Sequence, residues 1–327
     1  MSAFKSIGFI GLGLMGKPMA GHLAAKLPAE TRIYVYDISQ QAVEELVSAH
    51  KDKVSAGSSA KDVADRSDVI FTMVPEGAHV RSVYLTPETG ILASDVSHKL
   101  LIDCSTIDTA TNLSVKEEIN SRFPSASFYD APVSGGVNGA VAGTIAFFLG
   151  CAESDPNISK ITELVKLMGK QIIPCGGPSL GLAAKLSNNY LSGIIAIACS
   201  EALDMGMRSG LDPRVLAKVY NAGTAQNTIC DGFCPCPGVV ENAPSSRGYT
   251  GGFKVQLMRK DFNLALEMAK GVGSKNVLGQ AGLDTYTQAM NDPNCRDLDS
   301  RVVFRYLGGN ENWKQEMESN GSATSKH

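Results

Sequence analysis

The sequence predicts an α/β fold: a doubly wound, mainly parallel sheet, followed by an all-α C-terminal domain linked by a long helix. Three observations carry this. Short apolar runs alternate with amphipathic segments from Ser6 to about Cys175, the pattern of parallel strands with helices on both faces. A glycine-rich turn, "GLGLMG", directly follows the first of those runs, "SIGFI". Past Gly176-Gly177-Pro178 strand signal almost vanishes and helical periodicity takes over. A chain of 327 residues is also long for a single core. The expected domains are 1–177 and 178–310, with 311–327 a disordered tail.

In chain order the expected strands are "SIGFI", "RIYVYD", "DVIFTMVP", "KLLIDCST", "ASFYDAP", "TIAFFLG" and "KQIIPC". Helix-like segments lie between several of them, such as "SQQAVEELVSAH" at 39–50 and "DTATNLSVKEEINSRF" at 108–123. In the second half the period predicts helices over 179–209, 213–221, 254–270, 274–292 and 297–307. One Pro- and Gly-rich stretch, "CDGFCPCPGVVENAPSSRGYTGGF" at 230–253, interrupts them. A loop of that length inside a compact domain is usually functional or disordered, and it is expected to close over the substrate.

Bulk composition narrows the function classes. Thirty basic and 33 acidic residues leave a net charge of −3, which gives no reason to expect nucleic acid or an anionic membrane as partner. The uncharged run after Lys185 is about 15 residues, short of the ~20 that a membrane span needs. A strand begins within the first few residues, so no targeting peptide is expected and the protein is read as cytoplasmic. Eight scattered cysteines read as small buried hydrophobes in a reducing compartment. Cys230, Cys234 and Cys236 cluster, but no second pair and no His-x3–5-His spacing accompanies them, so no metal is expected.

The first turn carries Gly11-x-Gly13-x-x-Gly16, with Leu12, Leu14 and Met15 in the intervening positions. A bare GxGxxG is weak evidence. Here it follows a strand, opens a helix, and the second strand ends in Asp37, where a carboxylate can hold adenosine ribose hydroxyls. The glycines let the backbone approach a pyrophosphate at the helix N-terminus, which marks a Rossmann-type dinucleotide site. Asp37 would face the 2′-phosphate of NADP, and Ile38-Ser39-Gln40-Gln41 offer no cation, so NAD is the expected cofactor. Two later strand ends reach the same region: Val74 with Pro75, and Ser105 with Thr106. Pro75 could equally just end a strand, and Thr106 could cap the following helix.

"DAPVSGGVNGAVAGT" is a second glycine-rich turn after a strand. The Ser134 hydroxyl with the Gly135 and Gly136 amides could form a nest for a small carboxylate. In "GLAAKLSNNYLSG", Lys185, Asn188 and Asn189 lie along one helical stripe, and Gly181 is expected to leave that stripe open. A lone lysine in such a helix is more often a snorkelling residue than a catalytic one.

Taken together, "GFIGLGLMGKPMA", "DAPVSGGVNGAVAGT", "GLAAKLSNN" and "KDFNLAL" resemble the β-hydroxyacid dehydrogenases, most closely the 3-hydroxyisobutyrate dehydrogenases. The resemblance covers residues 5 to about 307. The narrower likeness rests on residues 235–253, with their Pro-x-Pro-Gly…Pro…Tyr-x-Gly-Gly-Phe skeleton. It implies Lys185 as the catalytic general acid/base and Asn189 as a substrate ligand. It also implies Ser134, Gly135 and Gly136 as the carboxylate turn, and Val74, Pro75, His79, Thr106 and Lys260 as cofactor-lining positions. His22 and His79 stand where the family commonly has asparagine. Family members are often mitochondrial, and that compartment is the alternative to the cytoplasm.

The leading expectation is NAD-dependent oxidation of a small 3-hydroxy acid, (S)-3-hydroxyisobutyrate, to its semialdehyde. Alternatives within the fold are a related semialdehyde reductase, a dehydrogenase of 3-hydroxypropionate or of a β-hydroxy amino acid, and an imine reductase. Lys185 argues against the last. A non-catalytic NAD-binding protein is the alternative of a different class. The long helix is too long for one small helical domain to cover, so a homodimer or homotetramer is expected.

Overall fold

The computed structural model describes residues 4–317. They fall into two compact units that divide between Ser187 and Asn188. In the first unit strands β1 (Ser6–Ile10), β2 (Arg32–Tyr36), β3 (Val54–Ala56), β4 (Val69–Thr72), β5 (Leu100–Asp103) and β6 (Ser127–Asp130) form one sheet. All pairs are parallel, in the order β3-β2-β1-β4-β5-β6. That is the doubly wound order, which places strand carboxyl ends on one edge.

Both faces of the sheet are covered. Successive residues of β4 and β5 enter opposite cores: Phe71 and Ile102 pack with Phe9, Met19 and Leu23, whereas Ile70 and Leu101 pack with Ile10, Tyr84 and Phe128. This period of two, buried on both sides, is why the strands read as unbroken apolar runs. The helices start where polar caps stand. Ser39 accepts from Ala42 N–H at the helix Gln40–Ala49, and Asp108 accepts from Thr111 N–H at Thr109–Arg122.

The last two expected strands leave this sheet. β7 (Val133–Ser134), β8 (Ile145–Leu149) and β9 (Gly169–Pro174) make a separate three-stranded sheet, β7 antiparallel and β9 parallel to β8. β3 and β7, only three and two residues long, are absent from the expected set because so few residues show no alternation.

One helix, Leu180–Arg208, runs from the end of the first unit into the second. The buried Asp130 carboxylate at the end of β6 accepts from Ser179 N–H (2.8 Å) and Leu182 N–H (2.9 Å), satisfying orphan amides at its start. The helix therefore begins in the first unit, and the division falls ten residues beyond the expected 177/178 boundary. Gly181 does not open a path for a ligand. A Cβ there would stand 2.3 Å from the Phe148 carbonyl oxygen and 2.8 Å from Asp130, so the glycine seats the helix on β8 and β6.

The second unit is helical: Pro213–Ala222, Thr228–Phe233, Val255–Gly271, Gly279–Asn291, and a 3-10 turn at Ser300–Val302 leading into Val303–Tyr306. Gly193 lets the long helix approach Phe262, and Tyr286 Oη donates to the Gly193 carbonyl at 2.9 Å. The stretch 230–253 is packed into this unit. Tyr249 is fully buried and donates to the Pro235 carbonyl (2.9 Å), and Ser245 donates to the Cys234 carbonyl (2.6 Å). Part of the expected tail is ordered as well. Trp313 is buried and its indole N–H donates to the Pro237 carbonyl at 2.9 Å. The rest of that tail, 318–327, lies outside the described residues.

Candidate active site

The glycine turn has the stereochemistry a dinucleotide needs. Gly11 adopts φ +96°, and a Cβ there would lie 2.2 Å from the Met73 carbonyl oxygen, so no other residue fits. A Cβ on Gly16 would strike the Gly11 carbonyl at 1.9 Å, which holds the helix Gly16–Lys26 against the turn. Gly13 differs: nothing lies within 4 Å of its missing side chain. That open face is the cradle a pyrophosphate would fill. Asp37 braces the turn, its Oδ2 accepting from Leu12 N–H (2.5 Å) and its Oδ1 from Ser39 N–H (2.7 Å). Each oxygen retains a lone pair for a ribose hydroxyl. The next residue, Ile38, is 93% exposed and carries no charge.

At the neighbouring strand ends a buried polar chain joins the turns after β4 and β5. Tyr84 Oη and Thr72 Oγ1 are 3.2 Å apart, and Thr72 Oγ1 donates to Asp103 Oδ1 (2.7 Å). Ser105 N–H also bonds to Asp103 Oδ1 (3.2 Å), while Ser105 Oγ accepts from Val74 N–H (3.0 Å). This sets Val74 and Thr106 on adjacent turns. Asp103 Oδ2 is buried with no hydrogen bond, and burial pushes this carboxyl up to about 6 against the pull of Ser105 and Thr72. His79 is exposed on the helix Gly77–Leu85. His22 bonds through Nε2 to the carbonyls of Ala140 and Val141, both 3.0 Å, so its role here is packing the helix Gly136–Ala142.

Ser134 ends β7, and the backbone then turns through Gly135 (φ +130°) and Gly136 (φ +61°), a conformation that favours glycine. No atom lies within 4 Å of a Cβ on Gly136, so the space beside its α-carbon is open.

Lys185 and Asn189 stand one turn apart on the long helix, 7% and 6% exposed. Within the second unit the helix Val255–Gly271 packs at Gly193 and brings Asp261 to Asn189. Asn189 Nδ2 donates to Asp261 Oδ2 at 2.6 Å, Asn188 Nδ2 donates to Asn189 Oδ1 at 3.0 Å, and Lys260 Nζ pairs with Asp261 Oδ1 at 3.2 Å. The Asn189 amide is thereby fixed in one orientation.

Two family models divide the chain. The NAD binding domain of 6-phosphogluconate dehydrogenase matches residues 6–177, and the NAD-binding domain of NADP-dependent 3-hydroxyisobutyrate dehydrogenase matches 180–307. The Dictyostelium discoideum probable mitochondrial 3-hydroxyisobutyrate dehydrogenase is 40% identical over 96% of this chain and 93% of its own. The chain belongs to the 3-hydroxyisobutyrate dehydrogenase family. An NAD-dependent L-serine dehydrogenase of Pseudomonas aeruginosa is likewise 40% identical, over 86% of this chain and 91% of its own. A solved Mycobacterium tuberculosis 3-hydroxyisobutyrate dehydrogenase with L-serine superposes with a TM-score of 0.84 at 32% identity, covering 93% of this chain and 99% of that one.

As a member of this family the chain is a β-hydroxyacid dehydrogenase, an NAD(P)-dependent oxidoreductase. Neither Asp261 nor Asp103 belongs to the residues that the motifs of the sequence mark. Asp261 occupies a core position of its helix, between Met258 and Ala265 on the buried stripe. A carboxylate on an apolar face is the signal that could have marked it. Asp103 sits at the end of an otherwise fully apolar strand, the same kind of signal.

Proposed function

We propose that this family member oxidises a small 3-hydroxy acid with NAD, and that the acid is (S)-3-hydroxyisobutyrate, giving methylmalonate semialdehyde in valine breakdown. The observation that carries the reading is the buried pair Lys185 and Asn189 on one helical stripe, the amide locked by Asp261. Oxidising a secondary or primary alcohol requires the hydroxyl proton to leave as a hydride departs from the same carbon. When bound, the nicotinamide accepts that hydride. The Lys185 amine takes the hydroxyl proton, and in reverse its ammonium returns it to the developing alkoxide. The Asn189 amide orients the oxygen, and Ser134 with the Gly135 and Gly136 amides holds the carboxylate. Gly11, Gly13 and Gly16 with Asp37 hold the adenosine end, while Val74, Pro75, Thr106, Lys260 and the exposed His79 line the rest.

Descriptions of the relatives include both NAD and NADP. The preference for NAD rests on Asp37 and the uncharged Ile38 beside it. L-serine is the second reading, favoured by the names of two relatives, because it differs from 3-hydroxyisobutyrate by an ammonium in place of a methyl. The exposed apolar stripe Leu191, Ala198 and Met205, one every seven residues of the long helix, supports a homo-oligomer.

The deciding experiment is kcat/KM for (S)-3-hydroxyisobutyrate, 3-hydroxypropionate and L-serine, each with NAD and NADP. The expected result is highest efficiency on (S)-3-hydroxyisobutyrate, with NAD at least about tenfold better, roughly 1.4 kcal/mol. Superior turnover of L-serine would replace the substrate assignment, and equal use of both cofactors would remove the role given to Asp37.

A further inference from the structure

Two thiols outside this machinery meet in the second unit. Cys199 lies on the long helix, ten residues past Asn189, and Cys230 lies on the helix Thr228–Phe233. Both are free cysteines, 7% and 2% exposed, and their sulfurs share a hydrogen bond at 2.9 Å. Asn227 clamps the pair. Its Oδ1 accepts the Cys230 backbone N–H (2.9 Å), and its amide reaches Cys199 Sγ at 3.6 Å. Ala196, Ile229, Ile195 and Tyr220 wall the site with apolar surface. Cys236 instead contacts Met207, and Cys234 and Cys236 belong to a different cluster. Among the described residues no group of three His, Cys, Asp or Glu side chains could hold a metal, so metal binding does not explain this pair.

We propose that Cys199 and Cys230 are an oxidisable dithiol that a peroxide closes into an intramolecular disulfide, tying the long helix to the segment after residue 227. Closing the gap to the ~2.05 Å of an S–S bond needs a sulfur movement of about 0.9 Å, within the reach of side-chain rotation. The contact between the two sulfurs lowers the Cys230 thiol, while that same contact and then burial raise the Cys199 thiol. Either sulfur can begin the reaction and both routes give the same disulfide; by one of them the Cys230 thiolate attacks first. Its electron pair attacks one peroxide oxygen, the O–O bond breaks, and the leaving hydroxide takes a proton to become water. The Cys199 sulfur then attacks the Cys230 sulfenic acid, the S–S bond forms, and the S–O bond breaks to release a second water. Two thiols lose two electrons and two protons, and one hydrogen peroxide becomes two waters.

The test is intact and peptide mass spectrometry of the full native chain, reduced and then exposed to hydrogen peroxide. The expected product has lost about 2 Da, joins the peptides holding residues 199 and 230, and reverts with dithiothreitol. Cys199→Ser and Cys230→Ser should each abolish that product, whereas Cys234→Ser should leave it. Mapping the wild type decides the matter even if a variant misfolds. A chain that keeps all its thiols, a link through other cysteines, or sulfinic acid accumulating at either sulfur would overturn the proposal.

Discussion

Lys185 is buried on the long helix, one turn before Asn189. Lys185→Ala should lower kcat by about 10²-fold or more, the usual scale for losing a general acid–base, with NAD affinity by calorimetry little changed. A folded variant keeping over a tenth of wild-type kcat would return the residue to a snorkelling role. Asp103 makes a different demand. Its carboxyl is raised to about 6 by burial, so the folded protein binds a proton more readily than the unfolded chain, whose carboxylate titrates near 4. Stability from this proton is fully present below pH ~4 and is lost as pH rises through 6, at a cost of about 3 kcal/mol by pH 7. Asp103→Asn cannot ionise and keeps an acceptor for Thr72 and Ser105. Its stability relative to wild type should therefore rise by about that amount between pH 4 and pH 7.5 in urea titrations. A constant difference would show that the carboxyl titrates as an ordinary one.

At the scale of elements, the start of the long helix is held by contacts that tolerate no added atom. Gly181 costs about 1 kcal/mol relative to alanine in helix propensity, yet a Cβ would meet the Phe148 carbonyl at 2.3 Å and Gly150 N at 3.0 Å. Those neighbours are backbone and cannot rotate away. Gly181→Ala should therefore destabilise the first unit by roughly 2 kcal/mol net, lowering its melting temperature by several degrees in calorimetry. An unchanged or raised melting temperature would mean the helix is not seated so tightly. The same reasoning explains 230–253. Its prolines and glycines read as an unstructured loop, but Tyr249, Ser245 and Ser246 find backbone partners within it, as in Gly238 N–H to Ser246 Oγ at 2.9 Å.

For the whole molecule, the long helix poses the largest question. An 18-residue window of it reaches a mean hydropathy of 1.2, enough by length and composition to cross a membrane, and 33% of that window is buried. Its buried positions, Leu182, Leu186, Ala196, Cys199 and Leu203, recur at helical spacing as those of a core helix do. Leu191 and Met205 remain 58% and 68% exposed, and a second copy of the chain is the expected cover. Light scattering at micromolar concentration should give a dimer or tetramer, and Leu191→Glu with Met205→Glu should shift it toward monomer. A wild-type monomer would contradict this reading.

What the sequence by itself determined is whatever a few neighbouring residues encode. Alternating runs set the parallel sheet, and the spacing of Gly11, Gly13, Gly16 and Asp37 set the dinucleotide turn, because turn stereochemistry and strand period are local. Helical period alone put Lys185, Asn188 and Asn189 on one stripe. Only the tertiary structure decided that Asp261 locks Asn189 from 72 residues away, since that bond exists through the close packing Gly193 permits. It alone moved β8 and β9 into their own sheet, folded 230–253 into the second unit and buried Trp313. It also reversed the reading of Gly181, a glycine required by a carbonyl more than thirty residues earlier. Such contacts join segments distant in the chain, and their energy depends on which surfaces meet, which no local pattern of residues records.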